Sequence, residues 1–156
     1  MRIGFGYDVH PLVEGRELWL GGVHIEYPYG LKGHSDADVL IHAICDALLG
    51  AANLRDIGYQ FPASDETYRG MDSKIILRDT MFLVRKAGYE LENIDVTVVA
   101  EQPELAPYIP EMKKTLAEQM EVAVNDISIK ATTTEKLGFT GRSEGIAAYA
   151  VALLKN

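Results

Sequence analysis

The order of elements in this chain of 156 residues predicts an α+β or mixed α/β fold: a mixed sheet with helices on one face, plus a small β-hairpin. Three observations carry that prediction. Ile94 to Ala100 and Ile127 to Ala131 alternate as strands do, Gly21-Gly22 divides two short apolar runs, and three longer stretches repeat at helical spacing.

Ile3 to Val9 reads as the opening strand. Glu17 to Leu20 and Val23 to Tyr27 flank the Gly-Gly pair as a hairpin. Ser35 is a possible N-cap with Asp38 three residues later, and Leu40, Ile41, Ile44 and Leu48 carry the first helix towards Gly50. Asn53 to Gly70 is a polar loop bearing Gly and Pro, long enough to act as a lid or binding loop. Asp72 caps a second helix on which Ile76, Thr80, Leu83 and Ala87 recur, and Gly88 stops it. Pro110 opens a third helix with Ile109, Met112, Leu116 and Met120 on one face. The last run, Ile146 to Leu154, is helix or strand from periodicity alone.

The length suits one domain, residues 1–156, with an ordinary core. Apolar residues make up 47% and charged residues 24%, the balance of a soluble globular protein. A net charge of −8 argues against broad nucleic-acid binding but leaves an anionic ligand open, because a metal can reverse the local field. Cys45 is the one cysteine, so no intrachain disulfide forms, which fits a reducing compartment. The N-terminus reads as a strand rather than a signal peptide, and no segment suits a membrane span; the expected location is the cytoplasm.

Two regions concentrate chemistry. On a strand, Asp8 and His10 point to the same side, and a carboxylate with an imidazole there binds a divalent metal or simply forms a hydrogen-bonded pair. Asp38, His42 and Asp46 make a polar stripe on the first helix, which taken alone is a solvated face; His34 lies just before it. If Asp8, His10 and His42 converge, they form an N/N/O site with a fourth position open, the pattern of catalytic zinc. In "KATTTEKLGFTGRSEG", Thr132, Thr133 and Thr134 supply hydroxyls at a strand end, glycines free the backbone for phosphate oxygens, and Glu135 is a hard ligand for Mg²⁺. The same residues also suit a plain polar loop. Asp56 and Gly58 could meet a polyol, or form an ordinary turn. His24 has no such company and reads as a surface or packing residue.

"GYDVHP", "GHSDADVLIHAICDALLGAA", "DIG..FP", "DVTVVAEQP" and "IKATTTEKLGFTGR.EGIA" together resemble the 2-C-methyl-D-erythritol 2,4-cyclodiphosphate synthase family, in order and over essentially the whole chain. The resemblance implies conversion of 4-diphosphocytidyl-2-C-methyl-D-erythritol 2-phosphate to the cyclic diphosphate with release of CMP, in the non-mevalonate route to isoprenoids. It implies a homotrimer around a three-fold axis with active sites between subunits, and the tail Ile146 to Leu154 as a strand.

By position, the resemblance makes Asp8, His10 and His42 the zinc ligands, and Asp8, Val9 and His10 part of the substrate contact. His34 and Ser35 match residues near the substrate phosphates, with His34 a transition-state stabiliser. Asp56, Ile57 and Gly58 match the methylerythritol subsite, and Phe61, Pro62, Ala63, Ser64 and Asp65 the loop over it. Ala100, Glu101, Gln102, Pro103, Glu104, Leu105 and Ala106 match the segment that holds the cytidine. Thr132, Thr133 and Thr134 match contacts at the nucleotide phosphates, Thr133 being the second stabiliser. Glu135 matches the Mg²⁺ or Mn²⁺ ligand, and Phe139 and Arg142 match further contacts. Three positions depart from the pattern: Ala63 and Tyr149 stand where relatives carry acidic groups, and Glu104 where some carry a basic one. The rival readings are a zinc phosphodiesterase that hydrolyses its substrate and a non-catalytic nucleotide-binding module.

Overall fold

The computed structural model describes residues 1–156. It begins with β1 (Arg2–Glu14), the short pair β2 (Leu18–Leu20) and β3 (Val23–Ile25), and β4 (Tyr29–Leu31). Then come α1 (Val39–Ala51), α2 (Ile57–Gln60) and α3 (Ser73–Lys86), followed by β5 (Glu90–Val99), α4 (Ile109–Met120), β6 (Ile127–Thr132), α5 (Gly138–Gly141) and β7 (Gly145–Lys155). Five strands form one sheet in the order β4-β1-β7-β5-β6, and β2-β3 stand apart as the expected hairpin. β5 and β6 run parallel and every other pair antiparallel, so the sheet is mixed. The expected α+β class is therefore observed, and the ambiguous tail is the strand β7.

Alternation decides which face of the sheet carries the core. On β7, Ile146, Ala148, Ala150, Ala152 and Leu154 are buried, while Tyr149 and Val151 are exposed. On β1, Gly4 and Gly6 turn inward and Ile3, Phe5, Tyr7 and Val9 outward. The helices cover the inner face, joined to it by one contiguous apolar core. Gly4 and Gly6 lie directly beneath α1: a Cβ at either would fall 1.9 Å from the carbonyl oxygen of Ala47 or Ala43. No side chain could stand there, so strand and helix are in backbone contact.

Several expectations are corrected. β1 does not end at Val9 but continues through Pro11 to Glu14. Pro11 is tolerated because pairing with β7 ends there, at Gly145, while pairing with β4 begins at Leu12. The first helix starts at Val39, and its cap is Asp38 rather than Ser35: the Asp38 carboxylate accepts from Ile41 N at 3.1 Å. Ala37 adopts a left-handed φ of 58°, which no helix could continue through. Asp38 is fully buried and also accepts from the N–H groups of Gly21 (2.9 Å) and Gly22 (2.7 Å), so it belongs to no solvated stripe. Burial and the nearby Asp36 charge push its pKa up, and the three backbone donors pull it back. It thereby ties the hairpin turn to the start of α1. On α3 the buried stripe is Ser73, Ile76, Leu77, Thr80, Met81 and Val84; Ala87 is exposed. The long loop is less irregular than expected, since it contains α2 and a short 3-10 turn at Glu66–Tyr68. No helix is long and apolar enough to cross a membrane.

Candidate active site

Beyond Gly4 and Gly6, the next inward side chains of β1 are Asp8 and His10, and the residue of α1 before Ala43 is His42. Backbone contact between the two elements therefore brings the three together. Asp8 Oδ2 lies 2.9 Å from His10 Nε2 and 3.1 Å from His42 Nδ1, and the two ring nitrogens are 3.2 Å apart. Zinc holds such donors about 2.0–2.1 Å away in a tetrahedron whose corners stand about 3.3 Å apart. The triangle is close to one face of that tetrahedron, and no other cluster of three potential ligands occurs in the chain. The donors are also the right chemistry, two imidazoles and a carboxylate with no further protein ligand. His10 Nδ1 is 3.0 Å from the Lys32 carbonyl oxygen, to which it donates. Its Nε2 is left with a lone pair for a cation.

Without a cation the triad is an ion-paired cluster. Burial disfavours the Asp8 carboxylate, but hydrogen bonds from His10 and His42 and their charge outweigh it and bring the pKa down to about 2. For His10, burial disfavours the charged ring, yet Asp8 and the Lys32 carbonyl raise its pKa above the ordinary value.

The triad lies in a cavity of about 240 Å³. His34, Ser35, Ile57, Gly58, Phe61 and Ala63 line it, as expected for site residues from the sequence. Asp46, Tyr68 and Ile76 line it as well; in the sequence Asp46 belongs to a helix stripe, Tyr68 carries no signal and Ile76 reads as core. Phe61 and Tyr68 meet edge to face with centroids 5.6 Å apart, making an apolar wall. Asp46 accepts from Ile57 N at 2.8 Å and so fixes the start of α2 against α1. Asp56 caps α2 through Tyr59 N at 2.9 Å. Pro62, Ser64 and Asp65 continue the loop outside the wall, Asp65 capping the 3-10 turn through Thr67 N. The side chain of Val9 is on the outer face of β1, so only its backbone borders the site.

A second cavity, of about 410 Å³, is lined by Ala100, Glu101, Gln102, Pro103, Glu104, Leu105 and Ala106 with Ala131, Thr132 and Thr133. It shares no residue with the first. Asp8 pairs with Ala148, Ala148 with Val98, and Val98 with Ala131. Three strand spacings, about 14 Å, thus separate the two regions within one chain. Thr134 turns inward, donating to Leu137 O at 2.6 Å beside the Thr140 hydroxyl at 2.9 Å. Glu135 and Lys136 follow with left-handed φ of 52° and 64°, a strained turn that leaves Glu135 exposed. Glu135, Phe139 and Arg142 line neither cavity, and Arg142 pairs with Glu144 at 2.9 Å.

Residues 1–155 match the YgbB family. The chain is 72% identical over 155 residues to the 2-C-methyl-D-erythritol 2,4-cyclodiphosphate synthase of Parabacteroides distasonis, covering 99% of this chain and 96% of that protein. A solved 2C-methyl-D-erythritol-2,4-cyclodiphosphate synthase in a CDP-bound form shares its fold with a TM-score of 0.91 at 38% identity, over 99% of this chain and 100% of the other. The bifunctional IspDF of Campylobacter jejuni gives a TM-score of 0.95 at 44% identity over 99% of this chain, which spans 42% of that longer protein.

Proposed function

The chain belongs to the YgbB family, and we propose that it converts 4-diphosphocytidyl-2-C-methyl-D-erythritol 2-phosphate to 2-C-methyl-D-erythritol 2,4-cyclodiphosphate and CMP, an isoprenoid-biosynthetic step. The observation that carries this reading is the convergence of Asp8, His10 and His42 at the floor of a cavity whose other walls suit a phosphorylated polyol. In class the reaction is a phosphorus–oxygen lyase. An oxygen of the 2-phosphate forms a bond to the β-phosphorus, and the bond from that phosphorus to the oxygen it shares with the α-phosphate breaks. The electron pair leaves on CMP. A phosphate oxygen is already nucleophilic, so the protein's work is to fold the substrate, align the attacking and leaving oxygens and offset charge.

Each part of the site has a place in that work. Zinc held by Asp8, His10 and His42 would act as a Lewis acid on the β-phosphoryl group. Glu135 would hold Mg²⁺ or Mn²⁺ against the diphosphate, as a hard carboxylate ligand suits. Asp56 and Gly58 take the methylerythritol hydroxyls, and the ring of Phe61 covers its carbon side. His34, Ser35 and Thr133 donate hydrogen bonds to phosphate oxygens, His34 and Thr133 to charge that grows in the transition state. The cavity from Ala100 to Ala106 takes the cytidine, with Thr132 at its phosphates and Thr134 ordering the adjoining turn through Thr140. Phe139 on α5 and Arg142 at its end line neither cavity of one chain and would meet the ligand only in a site shared between copies.

The separation of the two cavities favours a site shared between chains. Adjacent phosphates of a diphosphate stand about 3 Å apart, whereas the triad and the threonine end of β6 in one chain are about 14 Å apart. A site between copies, the triad from one and the nucleotide cavity from the next, removes the mismatch. The bare outer sheet face, with Ile3, Phe5, Tyr7 and Val151 exposed, is where the copies of a homotrimer would pack. We place the enzyme in the cytoplasm, in keeping with its unbridged Cys45.

A phosphorus NMR assay with the cytidyl substrate tests the function. CMP and a cyclic diphosphate should form, cease with a chelator and return with Zn²⁺ plus Mg²⁺. His42→Ala should lose bound zinc and nearly all turnover. A hydrolysed, open-chain product would instead make the site a phosphodiesterase, and no turnover in the metal-loaded chain would reduce the likeness to fold alone.

A further inference from the structure

The ring nitrogen of His42 that faces away from Asp8 and His10 ends in a chain of hydrogen bonds. His42 Nε2 lies 3.0 Å from Ser73 Oγ, and the Ser73 hydroxyl donates to Asp36 Oδ1. Ser73 N donates to the other oxygen of Asp36 at 2.9 Å. Ser73 is fully buried as the first residue of α3, so its hydroxyl has no water to turn to.

Only one polarity satisfies this chain. A cation on Nδ1 needs that nitrogen bare, so the proton of the neutral ring sits on Nε2. Nε2–H must then donate to Ser73 Oγ. Ser73, accepting there, must pass its own hydrogen to Asp36, which as a carboxylate can only accept. Ser35 Oγ is the competing acceptor, but it is 3.2 Å away and already accepts from Ala37 N at 3.2 Å. The nearest hydroxyl beyond it, Ser73 Oγ, is 3.4 Å off, so no carboxylate lies directly behind it. The left-handed Ala37 is what makes this possible. It turns Asp36 towards α3 and Asp38 towards the hairpin from adjacent positions of one loop.

We propose that Ser73 and Asp36 are positioning residues for the metal centre. Together with His42 they form a carboxylate–hydroxyl–imidazole relay that fixes the His42 tautomer and ring plane and makes Nδ1 a stronger donor. The proposal rests on the reading that Asp8, His10 and His42 hold zinc. It also gives α3, which supplies none of the ligands, a part in the site: its first residue is the joint between helix and metal.

The test compares the full chain with Ser73→Ala, Ser73→Thr and Asp36→Asn, measuring zinc affinity by competition with a chromophoric chelator and the melting of each metal-free protein. Ser73→Ala should bind zinc about 10–100-fold more weakly, with Asp36→Asn in the same direction and Ser73→Thr recovering most of the loss. A folded Ser73→Ala protein with wild-type zinc affinity overturns the relay and leaves the zinc site standing. A wild-type chain that binds no zinc overturns the zinc reading, and the relay with it. Should the variants not fold, long-range proton–nitrogen NMR on zinc-loaded wild-type protein decides. A His42 Nε2–H in slow exchange supports the relay, and a bare or zinc-bound Nε2 overturns it.

Discussion

One oxygen of Asp8 faces both His10 and His42, at 2.9 and 3.1 Å, and that sharing gives the metal-free protein a defined response to pH. The Asp8 carboxyl titrates at about 2 in the folded chain against an ordinary 3.8, so its contribution to stability is present above 3.8 and lost as pH falls through about 2. His10 is raised above its ordinary 6.5, so its contribution is present below 6.5 and lost as pH rises through the raised value. The pair is therefore strongest between pH 3.8 and 6.5. In chelated protein, Asp8→Asn should cost about 1–2 kcal/mol there, and less on the alkaline side once His10 is neutral. Melting curves of the two proteins across pH measure this, and a gap that stays constant would remove the ion pair as its cause. Zinc responds in the opposite sense, because it needs His10 neutral: its affinity should climb as the solution becomes more alkaline.

At the scale of elements, the site depends on how closely α1 lies on β1. Gly6→Ala would drive a methyl group towards the Ala43 carbonyl, now 1.9 Å from the ideal Cβ position, and backbone cannot step aside as a flexible side chain can. The helix must shift, which should cost about 1–3 kcal/mol and carry His42 away from Asp8 and His10. Zinc affinity should therefore fall in a variant that alters no ligand; equilibrium unfolding and chelator competition on the same protein would show both effects. Unchanged zinc binding would mean that the triad closes without backbone contact. The chemistry of this arrangement was legible in the sequence, because period-two alternation puts Asp8 and His10 on one side and a histidine in an apolar helix stands out. The closeness was not, since a strand read from Ile3 to Val9 does not say that a helix backbone lies directly on its Gly4 and Gly6. Long-range contacts hid the rest. Asp38 three residues after Ser35 resembles a capping box, but its carboxylate belongs to a turn 16 and 17 residues upstream. Ser73 reads as an ordinary residue after a cap, and its partners His42 and Asp36 are 31 and 37 residues away. β4 is only three residues long and sits between Pro28 and Lys32, too short for any period to register.

For the whole molecule, the separation of the two cavities turns the shared site into something countable. If each active site takes its triad from one copy and its nucleotide cavity and Glu135 from another, a variant damaged in one half can be rescued by a variant damaged in the other. His42→Ala disables every triad but leaves the nucleotide half whole, and Glu135→Ala does the reverse; neither change touches the exposed face of β1 and β7. Alone, each should be nearly inactive. Mixed in equal amounts, dissociated and reassembled, about one quarter of the sites should combine two intact halves, and activity should return in that proportion. A mixture no more active than its parents would mean that each chain builds its site alone, and that the span of about 14 Å is closed by movement within the chain. A second change separates assembly from chemistry. Phe5→Glu puts a charge at the centre of the bare face, where Phe5 is 63% exposed in the single chain. It should yield monomers by light scattering that melt cooperatively and still bind zinc through an intact triad, yet turn over no substrate. An active monomer would break the link between the apolar face and the site. An inactive monomer that keeps its zinc would place the missing half of the chemistry on the neighbour.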